Sequence, residues 1–397
     1  MKILVIGAGP AGTRCATRIA ERDPAAEVTL CGAEAALPYD RVALSSLLAG
    51  EKAVPELITH ELMALRAQRI AYRPATTIEA LDRDAHVAVT ARGERIGYDR
   101  VVIATGSRAI RLPVPGAELA GVLTYRSLND VRAMLSAARN GGAAVVVGGG
   151  LLGLEAAAGL ALRGMKVTVL HPVGWPMERQ LDAGAGALLA RRMGLRGIAF
   201  AMPAQLVAIE GTVRVSGVRL ADGRVIPASI VVMAVGIRPD TALAVASGLD
   251  VGRGIRVDGC MRSSDPHILA IGECAEVEGR CIGLVAPALE QAEIAAATLA
   301  GEDARWSARA DVAALKVSGT AVWSAGDIGA ESEAVTLRDE GEDRYRRLFL
   351  REDRLVGAVL YGDVADSGFY LDLIASKRQV GRMRAALALG PAFAGAV

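Results

Sequence analysis

Glycines at fixed spacing mark two places where the backbone of this chain could approach a phosphate group. The first motif, GAGPAG at residues 7–12, directly follows the apolar run Lys2–Ile6. In such a motif the first glycine permits a tight turn, the second admits a pyrophosphate, and the third lets helix and strand pack closely. A second copy, GGGLLG at residues 148–153, follows Val145–Val147. Two copies predict sites for two dinucleotides.

Two further residues stand where dinucleotide-binding folds commonly contact a ribose of the bound dinucleotide. Glu34 follows the predicted strand Glu27–Cys31, where an acid commonly holds a ribose hydroxyl; the alternative is a solvated turn acid. His171 follows the predicted strand Lys166–Leu170, where an acid would favour NAD and a basic group NADP. Neither rule is met, so NADH and NADPH both stay open, with a lean to NADH because no arginine follows directly.

Alternating strands and helices position these residues. A helix over residues 11–22 is predicted after the first glycine motif, and buried strands are predicted at residues 101–104 and 230–234. Hairpins are predicted around residues 91–93 and at Asp222-Gly223. The same order of elements occurs twice, which predicts an α/β protein with a duplicated architecture.

Composition excludes several classes of protein. The chain has 397 residues, enough for two or three domains, and its net charge of +1 and 4% aromatic content argue against nucleic-acid binding. The apolar run Gly142–Leu162 carries Glu155 and several glycines, so it is interpreted as strand, turn and helix rather than a membrane span. Because no signal peptide is recognised, we expect a cytoplasmic protein that does not enter a membrane.

The cysteines and histidines show no spacing typical of a disulfide framework or a metal site. The count of five cysteines is odd and none forms a C-x-x-C pair, which fits a reducing compartment. The four histidines lack metal-ligand spacing among themselves and with the cysteines, so no metal is expected. Cys274 and Cys281 are interpreted as structural.

Five ordered motifs carry a resemblance to a known family: GAGPAG (7–12), ATGS (104–107), VGGGLLGLEAA (147–157), AVGIRP (234–239) and AIGECA (270–275). Over about residues 1–300 the chain resembles the two-dinucleotide-binding flavoproteins of the pyridine nucleotide-disulfide oxidoreductase superfamily. The resemblance implies FAD as cofactor, NADH or NADPH as electron donor, and two Rossmann-like domains, one inserted in the other. The implied domains are 1–108 with 236–304 for FAD, 109–235 for NAD(P)H, and a small C-terminal α/β domain at 305–397.

The resemblance also implies site residues. It places Glu155 near the nicotinamide and Arg41 beside the flavin ring, as the two catalytic candidates. The implied cofactor-binding set is Gly7, Gly9, Pro10, Ala11, Gly12, Glu34, Arg41, Ser45, Ser46, Ile78, Ala104, Thr105, Gly106, Arg126, Gly148, Gly150, Leu151, Leu152, Gly153, Glu155, His171, Gly236, Gly272, Glu273, Val285 and Gln291.

Several of these positions keep a second interpretation. Glu155 could be an acid favoured by the helix dipole, Arg126 a surface arginine at a helix start, and Ile78 ordinary core. Ser46 stands where relatives often have a lysine beside the flavin, and the missing charge should lower the flavin potential. Glu273 stands where aspartate is commoner in the family, so here a longer side chain has to reach the ribityl chain.

A finer resemblance concerns the electron acceptor. PYDRVALSSLLAGE (38–51), MERQLD (177–182), GECAEVEGRCIGLVAPALEQA (272–292) and two segments of the tail resemble the flavin module of assimilatory NAD(P)H nitrite reductase and the electron-transfer subunit of assimilatory nitrate reductase. Residues 41–48 lack the cysteine used by disulfide reductases and oxidases of the family. We therefore expect electrons to pass to a separate protein, a nitrate or nitrite reductase catalytic subunit. No iron–sulfur cysteine set occurs in the sequence, so this chain alone is not expected to reduce nitrite.

Two alternatives stay open at this point. One is a ferredoxin or rubredoxin reductase, whose acceptor is a small iron–sulfur protein. The other is a redox-sensing flavoprotein with little turnover.

The tail is predicted to be a small α/β domain with strands at Arg346–Leu350 and Leu355–Leu360. In the family this domain covers the flavin face and often mediates dimerisation, so a homodimer is one implied state. Four basic residues are predicted to recur on a terminal helix: Lys377, Arg378, Arg382 and Arg384. They form either a solvated face or a docking surface for an acidic acceptor protein.

Overall fold

The computed structural model describes residues 1–307, 312–317, 319–329 and 333–394. The remaining residues, all within the predicted C-terminal domain, lie outside the described part. The chain divides into two compact units. The first contains residues 1–109, 126–128 and those from 237 to 307; the second contains 110–125, 129–236 and the described residues from 312 onward.

Both units contain strands and helices. In chain order the strands are β1 Lys2–Ile6, β2 Glu27–Cys31, β3 Ile70–Arg73, β4 Ile78–Asp82, β5 Val87–Thr90, β6 Arg95–Gly97, β7 Arg100–Ile103, β8 Ser107–Ala109, β9 Val122–Thr124, β10 Ala143–Val147, β11 Lys166–Leu170, β12 Ile198–Ala201, β13 Leu206–Gly211, β14 Val215–Leu220, β15 Val225–Pro227, β16 Ile230–Met233, β17 Ile237–Pro239, β18 Ile255–Val257, β19 Ile268–Ala270, β20 Ala275–Val277, β21 Val312–Val317, β22 Thr320–Gly326, β23 Glu333–Asp339, β24 Arg344–Arg351 and β25 Arg354–Tyr361. The α-helices are α1 Pro10–Arg22, α2 Leu44–Ala49, α3 Val54–Leu57, α4 Leu62–Ala67, α5 Leu128–Arg139, α6 Leu151–Leu162, α7 Ala183–Gly194, α8 Ala242–Ala246, α9 Val285–Leu299, α10 Ser367–Ser376 and α11 Pro391–Ala394. Two 3₁₀ segments cover Gly272–Cys274 and Gly381–Leu389.

The first unit is built on a five-stranded sheet in the order β19-β7-β1-β2-β3. All of its strand pairs are parallel, so the carboxyl ends of its strands meet at one edge. β1 is central and its residues from Ile3 to Ile6 are buried, as expected of a strand covered on both faces. The predicted strand at residues 27–31 is confirmed by β2. Helices α1 and α9 pack together, and Arg14 and Arg18 both pair with Glu293 at 2.7 Å.

The second unit repeats this plan in a parallel sheet of order β12-β11-β10-β16-β9. The predicted strand at residues 166–170 is confirmed by β11, and the predicted turn at Asp222-Gly223 joins β14 to β15. The apolar run 142–162 forms β10, the glycine turn and α6, as predicted. Within the described ranges, no helix is long and apolar enough to cross a membrane.

The C-terminal residues of the second unit form a five-stranded antiparallel sheet of order β21-β22-β25-β24-β23. The predicted strands at 346–350 and 355–360 lie inside β24 and β25. Asp182, the N-cap of α7, is buried and accepts hydrogen bonds from Tyr345 Oη at 2.6 Å and Arg347 Nη1 at 3.0 Å. These bonds join β24 to the start of α7.

The prediction of one terminal helix bearing the basic stripe is wrong. Helix α10 ends at Ser376 because Lys377 takes a left-handed conformation with φ of 52°. Arg378 follows outside any helix, and Arg382 and Arg384 lie on the 3₁₀ segment. All four basic side chains are exposed, and Arg384 pairs with Glu333 at 2.7 Å.

Candidate functional site

The first glycine loop shows a separate physical role for each of its glycines. Gly7 has a φ of +114°, and a Cβ there would lie 2.1 Å from the carbonyl oxygen of Ala104. A Cβ on Gly12 would lie 1.9 Å from the carbonyl oxygen of Gly7, so α1 can approach the turn only without a side chain. At Gly9 a Cβ would meet nothing within 4 Å. The loop therefore leaves open space beside its second glycine, at the N-terminus of α1.

The second glycine loop reproduces this geometry. Gly148 has a φ of +115°, and its Cβ would lie 2.3 Å from the carbonyl oxygen of Ala234. A Cβ on Gly153 would lie 2.0 Å from the carbonyl oxygen of Gly148, while one on Gly150 would meet nothing within 4 Å. Because helix N-termini attract anions, the open space beside each N-cap glycine suits a diphosphate.

Glu34 and Arg41, predicted separately, belong to one cluster. Arg41 Nη2 donates to Glu34 Oε1 at 2.7 Å, and Tyr39 Oη donates to Glu34 Oε2 at 2.9 Å. Arg41 Nη1 also donates to the carbonyl oxygen of Arg126 at 2.9 Å. Burial lowers the pKa of the Arg41 guanidinium, but its interactions with Tyr39 and Glu34 outweigh this effect, so the pKa is raised overall. The cluster places a fixed cation and a half-buried carboxylate beyond the end of β2.

Glu273 and Arg126, a second pair of predicted residues, are in direct contact. Arg126 Nη2 donates to Glu273 Oε2, and Ser107 Oγ donates to the same oxygen at 2.7 Å. Arg126 Nε also donates to the carbonyl oxygen of Ser107 at 3.3 Å. Ser107 belongs to the ATGS motif, where the sequence alone assigned it no role. No local signal in the sequence marks its contact with Glu273, because the two residues are 166 positions apart in the chain.

Gln291 supports the segment that carries Glu273. It is 3% exposed, and its Oε1 accepts the backbone N–H of Gly272 at 2.7 Å. Gly272 has a φ of +76°, a conformation that favours glycine. Val285 begins α9 and is 39% exposed, whereas Ile78 is buried in apolar core. A cofactor contact for either side chain stays a prediction.

Three other predicted residues of the first unit, Ser45, Ser46 and Thr105, donate hydrogen bonds within that unit. Ser45 Oγ donates to the carbonyl oxygen of Val42 at 3.1 Å, and Ser46 Oγ donates to Glu51 Oε2 at 2.8 Å. Thr105 Oγ1 donates to the carbonyl oxygen of Asp240 at 2.7 Å. The first turn of α1 begins with Pro10 and Ala11.

In the second unit, the predicted residues lie around the start of α6. Leu151 and Leu152 open the helix, and Glu155 is half-buried one turn later. Gly236 follows β16 with a φ of +122°, and its carbonyl oxygen accepts the N–H of Ile110 at 3.0 Å.

His171 lies directly against the second glycine loop. Its Nδ1 accepts the N–H of Gly149 at 3.1 Å, and its Nε2 lies 2.9 Å from Glu178 Oε2. Glu178, in the MERQLD segment, was given no role from the sequence, and its contact with His171 appears only in the fold. The absence of an acid at the end of β11 was the only signal that another acid should be sought nearby.

The thiols show no arrangement for redox chemistry. All five cysteines lie in the described part of the chain and all are free. Burial raises the pKa of Cys15 to about 12 and that of Cys31 to about 11, and it also raises the pKa of Cys274 and Cys281. Thiols of this kind stay protonated and are poor nucleophiles at neutral pH. Among the described residues, no group of three or more His, Cys, Asp or Glu side chains could hold a metal ion.

The chain has two parallel β-sheets, and each has a glycine loop at the carboxyl end of its central strand. This arrangement is typical of proteins that bind two dinucleotides. The sequence profile of the pyridine nucleotide-disulphide oxidoreductase family matches residues 1–298. That of the rubredoxin NAD+ reductase C-terminal domain matches residues 312–378. The chain therefore belongs to the pyridine nucleotide-disulphide oxidoreductase family, whose members are NAD(P)H-dependent flavoprotein reductases that bind FAD.

Individual relatives agree with this assignment. Over 96% of its length the chain is 38% identical to nitrite reductase [NAD(P)H] and 34% identical to the assimilatory nitrate reductase electron transfer subunit, both of Bacillus subtilis (strain 168). It spans only about half of these relatives, 48% and 50%. The crystal structure of NADH:rubredoxin oxidoreductase from Clostridium acetobutylicum matches with a TM-score of 0.83 and 28% identity, covering 96% of each chain.

Proposed function

We propose that this chain takes hydride from NADH or NADPH onto bound FAD and passes the electrons to a separate redox protein. The acceptor we favour is the catalytic subunit of an assimilatory nitrate or nitrite reductase. The observation that carries this proposal is the state of the thiols. All five are free and four are buried, so the chain offers no disulfide as the internal destination for electrons.

Each side chain of the proposed site has a role that its contacts support. Bound FAD supplies the ability to accept a hydride and to release its two electrons one at a time. The loops at Gly9 and Gly150 hold the two diphosphates. Glu34 binds the adenosine ribose of FAD, and Arg41 fixes its carboxylate, a role that differs from the place beside the flavin ring implied by the resemblance. Glu273, oriented by Arg126, accepts a hydrogen bond from the ribityl chain.

The remaining predicted residues complete the two cofactor sites in this proposal. Glu155 orients the nicotinamide from the first turns of α6. The FAD-binding domain comprises residues 1–108 and 236–304, the NAD(P)H-binding domain 109–235, and the C-terminal interface domain 305–397. A homodimer formed through the last of these, in the cytoplasm where free thiols persist, completes the proposal.

Similarity supports the choice of acceptor. The relative that shares 34% identity over 96% of this chain is named as the electron transfer subunit of assimilatory nitrate reductase. A rubredoxin or ferredoxin reductase is the second candidate, because residues 312–378 match a rubredoxin NAD+ reductase domain.

Rapid mixing separates the candidates. The full chain with FAD is reduced anaerobically with NADH and then mixed with the nitrate reductase catalytic subunit, a rubredoxin or a [2Fe–2S] ferredoxin, each from the source organism. We expect the catalytic subunit to reoxidise the flavin fastest. Faster reoxidation by either iron–sulfur protein would favour the second candidate. Slow reoxidation even by ferricyanide, an artificial one-electron acceptor, would instead indicate a redox-sensing flavoprotein.

The exposed basic residues give the docking hypothesis a separate test. If Arg378 and Arg382 steer an acidic acceptor, the rate of electron transfer should fall steeply as ionic strength rises. A rate that does not depend on salt would show that these residues form only a solvated face.

A further inference from the structure

We propose that Glu178, positioned by His171, binds the adenosine ribose of the nicotinamide donor and makes this chain select NADH over NADPH. This rests on the proposed function, in which the second glycine loop holds the nicotinamide dinucleotide. Glu178 lies beyond the residue at the strand end where an acid is expected for NAD and a basic group for NADP.

Both backbone groups of Gly149 are bonded to the segment that follows β11. Its N–H donates to His171 Nδ1 at 3.1 Å, and its carbonyl oxygen accepts the N–H of Met177 at 2.9 Å. A Cβ on Gly149 would lie 2.9 Å from His171 Cγ, so ring and loop are in close contact. The segment carrying Glu178 is therefore fixed against the loop that would grip the diphosphate.

The bond from Gly149 also determines which imidazole nitrogen faces Glu178. Because Nδ1 accepts a backbone N–H, Nε2 is the ring nitrogen left to donate toward the carboxylate. This nitrogen is buried, and its hydrogen lacks a well-aligned acceptor although Glu178 Oε2 is only 2.9 Å away. The short distance between Nε2 and Oε2 holds the Glu178 carboxylate beside the imidazole ring.

Glu178 is placed to meet a ligand from solvent. Its side chain is 32% exposed, whereas that of His171 is 6% exposed. The preceding residue, Met177, is fully buried with a φ of 57°, and this anchors the backbone next to the glutamate. The end of β11 carries His171 where an acid is expected. Glu178, from further along the chain, lies in contact with this histidine.

The chemistry of the two donors differs at one position of the adenosine ribose. NADH offers two neighbouring hydroxyls that can donate to a carboxylate, while NADPH replaces one with a phosphate of about −1.5 to −2 charge. Glu178 would accept hydrogen bonds from the ribose hydroxyls of NADH and would repel the phosphate of NADPH. Arg179 is exposed beside it and could attract the phosphate instead, which makes it the matched alternative to test.

The test uses fragments that cannot react. ADP-ribose and 2′-phospho-ADP-ribose, which lack nicotinamide, are titrated into the full FAD-loaded chain by calorimetry, with Trp175 in the same segment as a fluorescence reporter. We expect ADP-ribose to bind at least about tenfold more tightly. Loss of a hydrogen bond to a charged group should weaken ADP-ribose binding by about tenfold to a hundredfold in Glu178→Gln. Binding of the phosphorylated fragment should be unchanged or tighter in that variant, and Arg179→Gln should keep the wild-type preference.

Several results would overturn the inference. Tighter binding of the phosphorylated fragment by the wild type, or an unchanged ratio in Glu178→Gln, would remove Glu178 from the ribose site. A ratio that changes mainly in Arg179→Gln would assign selection to the arginine. These outcomes leave the proposed function intact, whereas failure of both fragments to bind the wild type would contradict the function of the second loop as well.

Discussion

A methyl group added at the second glycine of each loop should weaken the binding of one nucleotide and leave that of the other unchanged. Gly9 and Gly150 are N-caps with extended backbones, φ of −77° and −76°, and a Cβ at either meets nothing within 4 Å. Alanine therefore fits the fold at a cost of about 1 kcal/mol or less, that of a weaker N-cap. The methyl occupies space proposed for a diphosphate, and losing one hydrogen bond to a charged group costs about 1.5–3 kcal/mol, or roughly a tenfold to hundredfold weaker affinity.

Two binding measurements and a denaturation curve check this prediction. Gly9→Ala should bind FAD about tenfold to a hundredfold more weakly, measured by flavin absorbance per protein and by fluorescence titration of the apoprotein. Gly150→Ala should keep FAD and bind ADP-ribose or its 2′-phosphate weakly. Gly12→Ala is the steric contrast, because its Cβ would lie 1.9 Å from a backbone oxygen and should destabilise the whole domain in urea. Tight FAD binding by Gly9→Ala, or FAD loss from Gly150→Ala with intact folding, would refute the assignment of the loops.

Three further changes test the supporting contacts. Gln291→Leu leaves the buried N–H of Gly272 without its acceptor, so urea denaturation should show a loss of about 1–3 kcal/mol; a neutral result would mean that water replaces the amide. Tyr345→Phe removes the 2.6 Å bond to Asp182 and should lower the free energy of unfolding by about 1.5–3 kcal/mol, with unchanged stability counting against a structural role. Alkylation of Cys281, the only cysteine that is not buried, should accelerate about tenfold per pH unit between about pH 7 and 9, because its raised pKa keeps the thiolate scarce; fast labelling independent of pH would reveal an activated thiol.

Local patterns in the sequence predicted the elements that hold the glycine loops. Strands at residues 27–31 and 166–170 have the predicted bounds because short apolar runs rich in β-branched residues end at clear turn signals. The glycines were predictable for a similar reason, since each answers a steric demand of a neighbouring backbone. Features that depend only on one strand or helix and the turn next to it could therefore be predicted from the sequence.

Contacts between distant segments could not be predicted in the same way. Ser107 and Glu273 are 166 positions apart, with most of the second unit between them in the chain, and no local signal marks their contact. Lys377 ends α10 by a left-handed conformation that lysine seldom adopts, so the basic stripe looked helical in sequence. The contact between Glu178 and His171 could not be predicted, because the strand-end rule considers one position and the fold brings this acid to it from later in the chain.

Anaerobic titration of the purified chain with each nicotinamide tests the central claim most directly. If the two glycine loops hold FAD and a nicotinamide donor for hydride transfer, the protein should be yellow. Stoichiometric NADH should then bleach its long-wavelength flavin band, with NADPH acting more slowly or at higher concentration. A colourless protein that does not take up FAD, or a flavin that neither nicotinamide reduces, would contradict the account.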